Sequence, residues 1–192
     1  DLGWAINWDK ATECYLKQVS PTTFIGYRKS TGWAKNQVIY FAIQLNKPVK
    51  NMTLFANQKQ VNQTMATAQK VLAYLQFSTK GQEQVLMKVA LSTASVEGAM
   101  AGLKEISDWN FDKVQKDATS LWNKELSVIQ VKSKSDSFLR TFYTALYHTY
   151  MAPVLVSDAI GGYQGANLKK YVSKRPVYSV HSLWDTFRAA NP

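Results

Sequence analysis

The chain is poor in cysteine, proline and glycine, and it has no long apolar run. Its 192 residues include 1 Cys, 5 Pro and 9 Gly, which argues against a disulfide framework, a cysteine-built zinc site and a collagen-like or disordered chain. No apolar stretch approaches the roughly 20 residues of a membrane helix, so no segment is expected to span a bilayer. The chain opens on Asp1 without a basic and then apolar leader. We therefore expect a segment of a longer protein, without its signal peptide.

Acidic residues are absent between Cys14 and Gln82, and the whole chain carries a formal net charge of +10. The basic residues of this stretch are Lys17, Arg28, Lys29, Lys35, Lys47, Lys50, Lys59, Lys70 and Lys80. A basic half can mark contact with nucleic acid or another polyanion. These residues are scattered singly, at positions where strands would expose alternate side chains. A solvated basic surface is therefore the preferred interpretation, and no nucleic acid partner is expected.

The first half of the chain has the composition of β-strands. Four runs are rich in β-branched and aromatic residues, at 22–29, 36–45, 69–78 and 84–92. Turn residues separate these runs. Short strands at this spacing predict an antiparallel β-sandwich, in which the polar residues 57–67 form a long hairpin loop.

Helical periodicity begins near residue 95. Ser95 is a candidate N-cap for a first helix, and apolar residues at helical spacing predict a second helix from Phe111 to Trp122. A third helix is expected from about Asp136 to Tyr150, and Pro153 would end it.

A segment rich in glycine and lysine follows the third predicted helix. We expect residues 156–175 to form a long loop, which is typically functional or mobile at this length. Asp158, with Gly161, Gly162 and Tyr163 after it, predicts an Asx-type turn within this loop.

Motifs of catalysis and nucleotide binding are missing. His148 and His181 have no paired histidine at metal-ligand spacing, and the chain has no HExxH, GxSxG, Walker or GxGxxG motif. Both histidines are therefore expected to pack or to donate hydrogen bonds rather than to bind a metal.

The best candidate site is the segment from Ser182 to Arg188. On a helix, Trp184 and Arg188 would share one face, and Asp185 would lie three residues from Arg188. An indole ring beside charged groups suits a sugar, since the ring covers apolar C–H groups and the charges bind hydroxyls. A structural alternative stays open, in which Ser182 and Asp185 form a capping box and Asp185 pairs with Arg188 on the surface.

A series of segments resembles glycoside hydrolase family 92, the α-mannosidases of Bacteroidetes type. The series follows the family's order over most of residues 24–190: Ile25–Ala34 (IGYRKSTGWA), Val38–Ala42 (VIYFA), Gly81–Ala90 (GQEQVLMKVA), Ser95–Ala99 (SVEGA), Trp122–Leu126 (WNKEL), Phe142–Thr149 (FYTALYHT) and Ser182–Arg188 (SLWDTFR). The resemblance implies a multidomain α+β fragment. Residues 1–94 would be the later part of an antiparallel β-sandwich domain, 95–134 a helical linker, and 135–192 the first helices of a truncated (α/α)6 catalytic barrel.

The same resemblance implies a function. Members are exo-acting, inverting, calcium-dependent α-mannosidases that remove terminal mannose from glycans, so a periplasmic, cell-surface or secreted location and an α-1,2-mannosidase type are expected. Trp184, Asp185 and Arg188 would contact mannose, and Trp33 is a further candidate. The catalytic acid, the catalytic base and the calcium ligands are expected outside this chain, which would be inactive alone. His181 stands where an aromatic residue such as Phe is expected. The alternative is a non-catalytic sandwich module that binds carbohydrate or protein.

Overall fold

The computed structural model describes residues 1–3 and 9–180. The chain forms two units, residues 1–109 with 156–177 and residues 110–155 with 178–192. The predicted domain boundaries after residues 94 and 134 stay a prediction.

Eight antiparallel strands form the two sandwich sheets of the first unit. They are β1 (Lys10–Ser20), β2 (Thr23–Thr31), β3 (Gln37–Leu45), β4 (Asn51–Ala56), β5 (Lys59–Val61), β6 (Met65–Ala68), β7 (Val71–Gln76) and β8 (Met87–Ser92). One sheet has the order β6-β1-β2-β3-β8 and the other the order β5-β4-β7. The predicted antiparallel sandwich is confirmed, as are the four strands predicted within it.

The core lies between these two sheets. Side chains alternate between the faces of a strand, and the inward positions of the five-stranded sheet hold Cys14, Leu16 and Phe24. They meet Leu54 and Val71 of the three-stranded sheet, which are 0% and 1% exposed. Burial raises the pKa of the Cys14 thiol, so this cysteine is a packing residue rather than a nucleophile.

The prediction of a long loop over residues 57–67 is wrong. This polar segment contains β5 and the start of β6. Its strands are three and four residues long, and Ala66 is the only buried residue that the structure describes in them. Because most of their side chains are exposed, they lack the run of β-branched and aromatic residues by which a strand is recognised in sequence. They form because β6 pairs with β1 and β5 pairs with β4. Cross-strand pairing has overridden local propensity here, with a distant strand for β6 and within a hairpin for β5.

A short helix covers part of the opposite face of the five-stranded sheet. α1 (Val96–Gly102) begins at Ser95, whose Oγ accepts a hydrogen bond from the Gly98 N–H at 3.0 Å. A 3₁₀ turn, Leu103–Glu105, follows it directly. Ala99 and Leu103 pack on Ala42 of β3, which confirms the predicted cap and helix.

Residues 156–177 belong to the first unit and are more ordered than predicted. They contain a small hairpin of β9 (Gly162–Gln164) and β10 (Lys170–Val172), in which Tyr163 stacks on Tyr171 at 5.6 Å. The predicted unstructured loop is therefore wrong over these strands. Three-residue strands are too short to show an alternating pattern in sequence.

Two capped helices form the second unit. α2 (Phe111–Leu126) begins after Asn110 and α3 (Asp136–Thr149) after Ser135. Trp122 of α2 packs at 4.6 Å from the ring of Tyr147. Both predicted helices are confirmed. None of the helices in the described part of the chain combines the length and apolarity that a bilayer crossing requires.

Candidate functional site

Three tyrosines form a row on the face of the five-stranded sheet that is turned away from the sandwich core. Tyr15 is opposite Tyr27, and Tyr27 is opposite Tyr40. Their ring centroids are 5.4 and 6.0 Å apart. Adjacent strands bring them together because cross-strand positions in register share one face. We call Tyr15, Tyr27 and Tyr40 the tyrosine row.

A carboxylate and an ammonium group flank the centre of the row. Glu13 Oε1 accepts hydrogen bonds from the Tyr27 hydroxyl at 2.8 Å and from Lys29 Nζ at 2.6 Å. The hydrogen bond from Lys29, followed by that from Tyr27, lowers the pKa of Glu13. Burial and the bond to Glu13 raise the pKa of Tyr27. Glu13 therefore stays ionised as a hydrogen-bond acceptor and is poorly suited to act as a general acid at neutral pH.

The β9–β10 hairpin adds a second ammonium group at the end of the row. Lys170 Nζ donates to the Tyr40 hydroxyl at 2.7 Å and lies 4.3 Å from the centroid of that ring. The tyrosine row supplies aromatic faces and phenol hydroxyls, and its neighbours Glu13, Lys29 and Lys170 add one carboxylate and two ammonium groups. This set of groups suits a ligand with many hydroxyls and apolar C–H faces. It lacks a free acid and base pair of its own.

Asp158 forms the predicted Asx-type turn. Its Oδ1 accepts from the N–H groups of Gly162 and Ile160 at 2.7 and 3.1 Å. Its Oδ2 accepts from the Ser92 hydroxyl at 2.5 Å, at the end of β8. This carboxylate therefore holds residues 156–177 against the sheet and the start of α1, which is a structural role.

Replacing Gly98 by alanine should destabilise the first unit. A Cβ at this position would overlap the Asp158 carboxylate and lie 2.9 Å from Ser92 Oγ. We expect a loss of about 2 kcal/mol or more in the free energy of unfolding, from overpacking and weakened hydrogen bonds. Chemical denaturation measures it. Gly102→Ala in the same helix is the matched control, because its Cβ would meet only Ala90, at 3.1 Å. Equal losses in the two variants would contradict this account.

The stability of the first unit should fall in acid, and Glu13 should contribute to the fall. A carboxylate whose pKa is lowered by folding stabilises the protein above its unfolded pKa of about 4, and that contribution is lost as the pH falls through its folded pKa. The melting temperature of Glu13→Gln should therefore lie below that of the wild type at pH 7, and the difference should shrink as the pH falls below about 4. Glu105→Gln is the control, since Glu105 is exposed and forms no ion pair with the described residues. A difference that persists unchanged in acid would refute the role of Glu13.

The predicted site residues fall in two groups. Trp33 lies in the connection between β2 and β3 and is 88% exposed. Trp184, Asp185 and Arg188 lie outside the described residues, as does His181, and their roles stay predictions. His148 lies in α3 with its ring 5.8 Å from that of Tyr147.

Sequence reasoning missed the tyrosine row. The three tyrosines stand at positions 15, 27 and 40, and only the strand register shows that they are neighbours. A signal was present in β1, where Glu13, Tyr15 and Lys17 alternate with the buried Cys14 and Leu16. This alternation predicts strand β1, but it does not show which strands lie beside β1.

Two protein-family models together match almost the whole chain. A model described as the glycosyl hydrolase family 92 N-terminal domain matches residues 1–92. A model described as the glycosyl hydrolase family 92 catalytic domain matches residues 98–192. The two matches stand in that order on one chain.

Solved structures share the fold. The GH92 α-mannosidase BT3965 from Bacteroides thetaiotaomicron is 28% identical, with a TM-score of 0.88 over 95% of this chain and 26% of that one. The same protein has been solved in complex with mannoimidazole. The GH92 inverting mannosidase BT2199 from Bacteroides thetaiotaomicron is 25% identical, with a TM-score of 0.80 over 94% of this chain and 26% of that one.

One curated relative is a fungal protein. It is described as an uncharacterized secreted glycosidase of Arthroderma benhamiae, and it is 37% identical over 123 residues. That match covers 60% of this chain and 15% of the relative. The chain thus spans about a quarter of the solved structures and less of the fungal protein.

Proposed function

Because the chain belongs to glycoside hydrolase family 92, we propose that it is part of a larger, exo-acting and inverting α-mannosidase. This parent enzyme removes terminal α-linked mannose from glycans, with α-1,2 linkages as its substrate type. The observation that carries the proposal is the match of both family domains, in order, over residues 1–92 and 98–192. The likeness to an α-mannosidase with a TM-score of 0.88 supports it.

Four residues are the proposed mannose contacts. Trp184 stacks on the apolar face of the sugar ring, and Asp185 and Arg188 bind neighbouring hydroxyls. Trp33 is proposed as a further contact, and its exposed side chain on the β2–β3 connection is accessible to a ligand. The mannoimidazole complex of BT3965 supports a mannose-like ligand for this kind of fold.

The proposed catalytic acid and base belong to the part of the parent enzyme outside this chain. The carboxylates of Asp9, Glu13 and Glu83 are held in ion pairs. Asp158 is held by its turn and by Ser92. Groups already bound in this way are unsuited to exchange protons with a substrate.

Calcium is proposed as the cofactor of the parent enzyme. In residues 1–3 and 9–180, no group of three His, Cys, Asp or Glu side chains is placed to hold a metal ion. The calcium ligands are proposed to lie in the part of the parent enzyme outside this chain, and no step of the chemistry is assigned to calcium here.

The proposed location is the periplasm, the cell surface or the medium. Its support is the fungal relative, which is described as secreted.

Assay of the full-length parent tests this function. It should release mannose from α-1,2-mannobiose, and a calcium chelator should abolish the release until calcium is restored. A parent reading frame with nothing related to family 92 beyond residue 192, and no mannose release, would favour a non-catalytic binding module instead.

A further inference from the structure

A pocket lies on the outer face of the three-stranded sheet. Its volume is about 350 Å³, and Asp1, Phe55, Gln58, Lys70, Leu72 and Tyr74 line it. The inward residues of these strands, Leu54 and Ala73, pack in the sandwich core. Phe55, Leu72 and Tyr74 alternate with them and so point outward. The face is opposite to the one that carries the tyrosine row and α1, because those lie on the other sheet.

Two aromatic rings form one wall of the pocket. Phe55 and Tyr74 meet edge to face, with centroids 5.7 Å apart and planes at 85°. Tyr74 is nevertheless 57% exposed, and within the described part of the chain its hydroxyl forms no hydrogen bond. An exposed aromatic ring beside a concave apolar surface is a common element of ligand sites.

The lining of the pocket includes a residue in the left-handed backbone region. β4 and β5 are joined by Asn57 and Gln58, which have φ angles of 47° and 69°. A two-residue turn of this type favours glycine at its second position, since glycine has no Cβ to strain. Gln58 stands there instead and lines the pocket. Strain that persists in this way is typical of functional positions.

The turn is fixed to the neighbouring strand. Asn57 N–H donates to the Lys70 carbonyl at 2.9 Å, and Asn57 Oδ1 accepts from the Lys70 N–H at 3.0 Å. This pair of hydrogen bonds ties the turn that carries Gln58 to the residue directly before β7. Gln58 and Lys70 line the pocket together with the two rings, so a carboxamide and an ammonium group are available to a ligand there.

We propose that this pocket, built from Phe55, Tyr74, Gln58 and Lys70, binds a saccharide unit of an α-mannan chain. The inference rests on the proposed function, which supplies the class of glycan. The Tyr74 ring covers the C–H face of a pyranose, and the Gln58 amide and Lys70 ammonium bind its hydroxyls. The volume is at the lower end of small-ligand pockets, which start at about 300 Å³, and it accommodates one or two sugar units.

Affinity electrophoresis of the 192-residue chain through gels containing α-mannan tests the proposal. The wild-type chain should be retarded by mannan and not by a β-glucan. Tyr74→Ala should weaken the retardation about tenfold or more. Gln58→Gly should weaken it while leaving the melting temperature equal or higher, because glycine relieves the left-handed turn. Weaker retardation of Gln58→Gly at an unchanged melting temperature would show that binding, and not folding, has been affected.

Tyr178→Ala is the matched control, because Tyr178 is 56% exposed, close to the 57% of Tyr74, and does not line this pocket. It should leave retardation unchanged, whereas Trp33→Ala reports on the separately proposed mannose contact. Unretarded wild-type chain, equal retardation by β-glucan, or retardation unaffected by both Tyr74→Ala and Gln58→Gly would overturn the proposal. Mannose release by the parent enzyme is measured separately. Failure of the proposed function is therefore distinguished from failure of mannan binding at this pocket.

Discussion

The 192-residue chain by itself is expected to release no mannose from an α-mannoside that the proposed parent enzyme hydrolyses. An inverting glycosidase needs a carboxylic acid and a carboxylate roughly 6.5–9.5 Å apart, with the attacking water between them. Four carboxylates of the first unit, those of Asp9, Glu13, Glu83 and Asp158, are bound to Arg28, Lys29, Lys47 and Ser92. The acid and the base are proposed to lie outside this chain, so binding of mannose by the chain alone should lead to no chemistry.

Release of mannose from α-1,2-mannobiose over a day measures this directly. The parent enzyme, assayed with the same calcium concentration, is the positive control. The far-UV circular dichroism and melting curve of the chain show that it is folded during the assay. Calcium-dependent turnover by the folded chain would place an acid and a base within it and would refute the division of function proposed here.

Replacing Trp184 by alanine in the parent enzyme is expected to lower kcat/KM about 100-fold, which corresponds to about 2.7 kcal/mol of transition-state stabilisation. The indole ring would stack on the terminal mannose and exclude water from the charged groups at Asp185 and Arg188. Alanine removes both effects. Steady-state kinetics on α-1,2-mannobiose gives the value.

Three further variants separate this binding role from a helix-capping role. Trp184→Phe keeps an aromatic face and should recover much of the activity. Arg188→Lys should lower kcat/KM, because an ammonium group does not reproduce bidentate hydrogen bonds to sugar hydroxyls. Ser182→Ala removes only the proposed cap and should lower the melting temperature more than the activity. Unchanged kcat/KM in Trp184→Ala would leave segment 182–188 with the structural role alone.

The helices could be predicted from sequence because their signals are local. Ser95 caps α1 as predicted, and the periodicity from Phe111 and from Asp136 places α2 and α3 within a few residues. The strands β5 and β6 could not, because both are short: β6 is held by the distant β1, and β5 by its hairpin with β4. The tyrosine row depends on the register of three strands, and the Gln58 turn depends on a positive φ angle. Neither can be predicted from a local sequence pattern.

Residues that flank the basic stretch neutralise part of its charge. The stretch between Cys14 and Gln82 has no acidic residue, yet its cations are partly neutralised. Arg28 and Lys29 pair with Asp9 and Glu13, which precede the stretch, and Lys47 pairs with Glu83, which follows it. The three ion pairs among the described residues thus join the basic stretch to its flanks, which agrees better with a folded sandwich than with a polyanion site.

The most direct test of the central claim is the anomeric form of the mannose that the parent enzyme releases first. Proton NMR of the reaction on an α-mannoside, recorded before mutarotation, distinguishes the two anomers. An inverting α-mannosidase should produce β-mannose first, and only while calcium is present. Initial release of α-mannose, or no release of mannose at all, would contradict the account.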